Sequence, residues 1–183
     1  MRLINLIGVR DLKKLFCFIA VALAIALCSC GGVSAEEILS HERSPSVCGV
    51  SFSADGRRFE GRLTREDGGS MRLDVTSPES LAGMRFLLEE GSVFAEQEGT
   101  ADAKTPLVED ESPVFALFDC FSLSERVKSG SLAFVSHDAS CAVFSDGESE
   151  YELRFSSDGE LESIRRRRGG GGILTIDICA PSA

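Results

Sequence analysis

The sequence predicts a mainly β (α+β) fold, an antiparallel sheet of about ten strands interrupted by short helices. Three observations predict it. Apolar and polar residues alternate with period 2 over most of the chain beyond residue 47. Tight turns built on Asp-Gly separate the alternating runs, at Asp55-Gly56, Asp67-Gly68, Asp146-Gly147 and Asp158-Gly159. Helical spacing is confined to residues 77–83 and 112–130.

The chain begins with a segment of different character. Arg2, Arg10, Lys13 and Lys14 precede 13 uncharged, mostly apolar residues, 15–27. A basic stretch followed by a short apolar one is the pattern of a secretory signal, and the apolar part is shorter than the roughly 20 residues a membrane-crossing helix needs. At its end Leu27-Cys28-Ser29-Cys30-Gly31 resembles a bacterial lipobox. That resemblance implies removal of residues 1–29 and diacylglyceryl transfer to the sulfur of Cys30. Two or three acyl chains hold a protein stably on a bilayer, at about 0.8 kcal/mol per buried methylene. Ordinary secretion with cleavage after Ala35 is the alternative.

Loss of residues 1–29 removes four basic residues and Asp11, so a net charge of -10 becomes one near -13. Such an acidic surface repels phosphate backbones, and nucleic acid is not an expected partner. Residues 30–46 are short of apolar side chains, end near Pro45, and read as a lipidated tether. Residues 47–183 form one domain, long enough to bury roughly two thirds of its unfolded surface.

Within the domain, strands are expected at 48–53, 57–65, 70–76, 84–89, 92–98, 131–136, 141–144, 151–155, 160–167 and 173–178. Cys48, Val50 and Phe52 share one face, as do Met71, Leu73 and Val75, Tyr151, Leu153 and Phe155, or Leu174, Ile176 and Ile178. Opposite faces carry Arg58, Glu60 and Arg62, or Glu150, Glu152 and Arg154, so one side of the sheet is buried and the other wet. Ser77-Pro78 to Gly83 fits one helical turn. From Ser112-Pro113 a longer helix places Val114, Leu117, Phe118 and Phe121 on one stripe. Ser122 and Glu125 then have capping-box spacing for a second short helix that stops at Gly130.

Catalytic templates find little to match. His41 lies in the tether and His137 beside Asp138 before a turn, and there is no G-x-S-x-G, H-E-x-x-H, C-x-x-C or P-loop. Asp146, Glu148, Glu150 and Glu152 lack calcium-loop spacing and read as a solvated acidic face. No catalytic residue, metal ligand or cofactor is expected, and the protein is not read as an enzyme; a hydrolase would need a serine or carboxylate within reach of His137. With Cys30 acylated, Cys48, Cys120, Cys141 and Cys179 remain; an exported domain could pair them in three ways, or keep them as small hydrophobes. Arg165, Arg166, Arg167 and Arg168 precede four glycines. They read as a strand end whose charges oppose edge pairing, the sharper alternative being a site for phosphate headgroups.

The order of long strands, the SPESLAGMRF element with Pro78, Leu81, Gly83 and Phe86, a phenylalanine-rich helical insertion and further strands is similar to that of the outer-membrane lipoprotein carrier and receptor family. The resemblance implies a curved antiparallel sheet or unclosed β-barrel with the helical insertion on its concave face. It also implies an apolar cavity, lined here by Phe52, Phe59, Leu73, Phe86, Phe115, Phe118, Phe121 and Phe155. Two functions follow. One is an extracytoplasmic, lipid-anchored binding module for lipid or another apolar ligand, with the membrane as partner through its anchor. The other is a structural lipoprotein of the cell envelope that contacts another envelope protein and whose helices fill the cavity.

Overall fold

The computed structural model describes residues 33–54, 56–97, 104–107, 112–169 and 172–180; residues 1–32, with the signal segment and Cys30, lie outside them. A compact unit begins at Ala35. Its first element is α1 (Ala35–Ile38), which runs into a 3-10 turn, Leu39–Arg43. The strands are β1 (Ser46–Ala54), β2 (Arg57–Arg65), β3 (Met71–Ser77), β4 (Met84–Glu89), β5 (Ser92–Gln97), β6 (Thr105–Pro106), β7 (Ala133–His137), β8 (Cys141–Ser145), β9 (Ser149–Phe155), β10 (Leu161–Arg168) and β11 (Ile173–Cys179). Between β6 and β7 come α2 (Pro113–Cys120) and α3 (Leu123–Lys128).

The eleven strands among the described residues belong to one antiparallel sheet in the order β6-β5-β4-β3-β2-β1-β11-β10-β9-β8-β7. The first and last strands meet in the middle, and each half of the chain meanders outward as consecutive hairpins. β6 and β7 do not pair with each other, so the sheet stays open, as the half-barrel implied by the resemblance requires. Its connectivity also explains the helices. The chain leaves the sheet at one edge, β6, and returns at the other, β7, so the intervening segment has to cross a face. It crosses the apolar one, with α2 packed over β11.

The alternation seen in the sequence sets which face that is. On it, Leu63 opposes Leu73, Leu73 opposes Phe86, Ile164 opposes both Ile176 and Leu153, and Tyr151 opposes Phe144. Phe52 and Phe59 stack across β1 and β2 with centroids 5.0 Å apart. The other face carries cross-strand charges, with Arg85 donating to Asp74 at 2.9 Å and Arg167 to Glu150 at 3.1 Å. The Asp-Gly turns behave as expected where they are described: Gly147 (φ 90°) and Gly159 (φ 82°) close the β8–β9 and β9–β10 hairpins. Gly61 has a different reason to be glycine. The β2–β3 register shifts beside it, and a Cβ there would lie 2.7 Å from the Asp74 carbonyl oxygen.

Three expectations need correction, and one open alternative is resolved. The tether does not extend to residue 46, because Ile38, Leu39 and Glu42 are buried against the domain and α1 packs on α3. Ser122 does not cap α3; its hydroxyl turns back to donate to the Phe118 carbonyl, and the cap comes from Glu42, which accepts from the backbone N–H groups of Leu123 (3.2 Å) and Ser124 (2.8 Å). The arginine run is not at a sheet edge, since β10 is paired on both sides. Edge protection falls to β6, two residues long, and to a bulge in β7 between Phe134 and Ser136. Of the two states left open for the cysteines, the structure has the unpaired one at Cys48, Cys120, Cys141 and Cys179. Cys120 is fully buried, as a small hydrophobe would be, and burial pushes its thiol well above the usual range.

Candidate functional site

The helical insertion does not cover the inner face evenly. Where α2 and α3 approach the β2–β3 and β4–β5 turns, a groove of about 860 Å³ opens. Leu88, Val93, Phe115, Phe118 and Phe121 supply its apolar wall, and Glu90, Glu125, Arg126 and Lys128 its polar rim. Deep in the groove are Arg65 and Glu42, both nearly inaccessible. Arg65 occupies an inward position of β2, the face of Leu63, and its guanidinium donates to the carbonyls of Glu42 and Phe121. Burial pulls its pKa down from the usual arginine value, against the raising effect of Glu42. Arg65, through these two carbonyls, and the Glu42 carboxylate, through the N–H groups of Leu123 and Ser124, thereby fix the N-terminal segment, β2 and the start of α3 to one another.

A second polar cluster stands on the other side of α2. Arg126 from α3 donates to Asp119 at 2.9 and 3.1 Å, to the Tyr151 hydroxyl at 2.6 Å and to Asp146 at 2.5 Å. Tyr151 in turn donates to Asp119 at 2.6 Å. Burial and that carboxylate push the tyrosine pKa up to about 12. Although burial opposes the charged form of Arg126, its bonds to Tyr151 and Asp146 raise its pKa. Arg166 completes the cluster, 3.5 Å from Asp119 and stacked over the Tyr151 ring. A pocket of about 360 Å³ opens beside it between α2, the β8–β9 turn and the end of β10.

The eight residues expected to line a cavity divide. Phe115, Phe118 and Phe121 line the groove. Phe52, Leu73 and Phe86 are buried in the core, and Phe59 and Phe155 are partly buried against it. The acidic set is dispersed: Asp146 turns to Arg126, Glu150 pairs with Arg167 and Glu152 with Arg154. Among the described residues no group of three or more His, Cys, Asp or Glu is placed to share a metal ion. His137 is exposed on β7, and the neighbouring Asp138 is occupied by the Ser140 N–H at 2.9 Å. No helix among the described residues is long and apolar enough to cross a membrane.

Sequence reasoning missed Glu42, Arg65, Arg126 and the polar role of Tyr151, and it named Arg166 only as one of a run of four arginines. Two of them carried a local signal. Arg65 follows Leu63 on the inward phase of β2, and Tyr151 leads the apolar phase of β9 with a hydroxyl that needs a partner.

No protein-family model matches the chain, and no curated protein matches it in sequence. Solved structures are similar to it in fold. One is a LolA superfamily protein from Nitrosomonas europaea, 10% identical over 83% of this chain and 96% of that one, with a TM-score of 0.43. Another is an uncharacterized conserved protein from Thermus thermophilus, 14% identical over 81% of this chain and 88% of that one, with a TM-score of 0.45. A third is a chain of the MucA/MucB complex of Pseudomonas aeruginosa, 15% identical over 79% of this chain but 56% of that one, with a TM-score of 0.40.

Proposed function

We propose that the protein is an extracytoplasmic lipoprotein anchored through Cys30, and that its domain is a non-catalytic binding module for a lipid or another apolar ligand. The observation that carries the binding reading is the groove of about 860 Å³, walled by Phe115, Phe118, Phe121, Leu88 and Val93. It exceeds the roughly 300 Å³ at which small-molecule sites begin, and it combines an apolar wall with a few polar groups at the rim. The anchor is supported by the sequence, in which the thiol follows Ser29 directly after the apolar stretch. With folded structure starting at Ala35, only residues 31–34 would separate the acylated cysteine from the domain, which keeps the module close to its own bilayer.

A structural lipoprotein remains the second reading, favoured by one observation: Phe52, Leu73, Phe144, Leu153 and Ile176 on the sheet are almost wholly inaccessible, so much of the inner face is filled by the protein's own helices. Two measurements on the full-length chain decide. Labelling with a radioactive fatty acid should mark the wild type and not Cys30→Ala; label surviving in the variant removes the anchor. Mass spectrometry of solvent-extractable lipid should find an apolar molecule held without a covalent bond. An extract free of it points to the structural reading.

A further inference from the structure

The pleat of β10 divides the arginine run. Arg165 and Arg167 oppose Glu152 and Glu150 on the outer face. Arg166 and Arg168 oppose Tyr151 and Ser149, both buried, so these two point inward at the pocket of about 360 Å³. The two inward guanidiniums have capacity to spare. Arg166 has one long contact, 3.5 Å to Asp119, and its Nε is buried with no partner. Among the described residues Arg168 makes no side-chain hydrogen bond or ion pair, although it lines the same pocket. A buried N–H without an acceptor costs about 1–3 kcal/mol, which a bound oxygen would relieve. Ser112 lies on the pocket wall too. Its oxygen already accepts from the Val114 N–H, which leaves the hydroxyl proton free to donate outward.

The carboxylates at the pocket do not cancel this. Asp119 is held by Arg126 and the Tyr151 hydroxyl. Asp146 is held by Arg126 and by the backbone N–H groups of Glu148 (2.9 Å) and Ser149 (2.6 Å). Glu148 alone stands exposed at the rim. The internal network thus uses Arg126 and leaves Arg166 and Arg168 for an incoming anion.

We propose that this pocket binds a phosphate group, with Arg166 and Arg168 as its cationic contacts and the Ser112 hydroxyl as a further donor. Guanidinium forks match tetrahedral oxyanions in charge and spacing. The pocket adjoins the apolar groove, since Phe115, Asp119 and Arg126 line both. A ligand with its apolar part in the groove therefore presents a phosphate headgroup at the arginines. This extends the binding reading above and rests on it for the apolar half only.

Calorimetry on the full-length chain in non-ionic detergent tests it with three probes: dihexanoyl phosphatidic acid, dihexanoylglycerol with the same chains and no phosphate, and inorganic phosphate. The phosphatidic acid should bind about tenfold more tightly than the glycerol. Arg168→Gln, at an exposed position, should lower that preference, and adding Arg166→Gln should abolish it while dihexanoylglycerol binds as before. Glu148→Gln should increase it. Equal binding of the two lipids, or an unchanged preference in a double variant of native circular dichroism, overturns the phosphate site and leaves the groove standing. Binding of inorganic phosphate alone, lost in Arg168→Gln, supports the site with free phosphate as its source and overturns the lipid-binding reading instead.

Discussion

His41 is a residue whose protonation the fold opposes. Its Nδ1 lies 3.1 Å from the Ile38 carbonyl oxygen, which can only accept, so Nδ1 carries a proton. Nε2 is buried without a partner, and a second proton there would place a charge where no described acceptor reaches it. Burial accordingly lowers the His41 pKa below 6.5, outweighing the adjacent Glu42 carboxylate; Arg65, on the other side, acts in the same direction as burial. In the unfolded chain the imidazole takes up a proton first. The stability that this residue contributes is therefore complete above the ordinary imidazole value and is lost as pH falls through the lower folded one. The thermal midpoint should fall between pH 7 and pH 5.5, and His41→Gln should flatten that slope. An identical slope in the variant would mean that other groups govern it.

At the scale of elements, what the sequence reveals and what it hides follow from range. A strand announces itself in adjacent residues, so ten of the eleven were legible from alternation and turns; Thr105–Pro106 is too short to alternate. Pairings set by distant residues were not legible. The cap of α3 reaches it from Glu42, 81 residues earlier, while the local Ser122-to-Glu125 spacing points elsewhere. Ile38 and Leu39 gave too brief an apolar signal to separate α1 from a tether, though both are buried. Within β10 the run of four arginines suggests one solvated feature, whereas the register gives its members two environments. Neutralising Arg167, half exposed and paired with Glu150, should change stability by no more than about 0.5 kcal/mol. Arg166→Ala should cost about 1–3 kcal/mol, because it strips a partner from Asp119 and packing from the Tyr151 ring. Urea titrations giving equal losses would place both arginines in the same kind of surface.

The whole molecule poses one question, whether the helices close the half-barrel or cover a space, and the three phenylalanines of the insertion answer differently. Phe118 is 2% exposed and Phe121 6%, so both belong to the core even though their edges reach the groove. Phe115 is only partly buried and stands between the groove and the arginine pocket, lining each. A fold that crosses an apolar sheet from edge to edge with one pair of short helices, eight and six residues long, covers its centre and leaves the margins open. Core and site are thus neighbours along a single helix. Truncating Phe118 should create a cavity under α2 and cost about 3–5 kcal/mol in chemical denaturation, with any loss of ligand secondary to the loss of fold. Truncating Phe115 should cost clearly less, near 1 kcal/mol, and should reduce the lipid that copurifies with a chain of unchanged circular dichroism. If Phe115→Ala were as damaging as Phe118→Ala and left the bound lipid unaltered, the groove would be an incidental furrow beside a filled core, and the helices would serve only to close it.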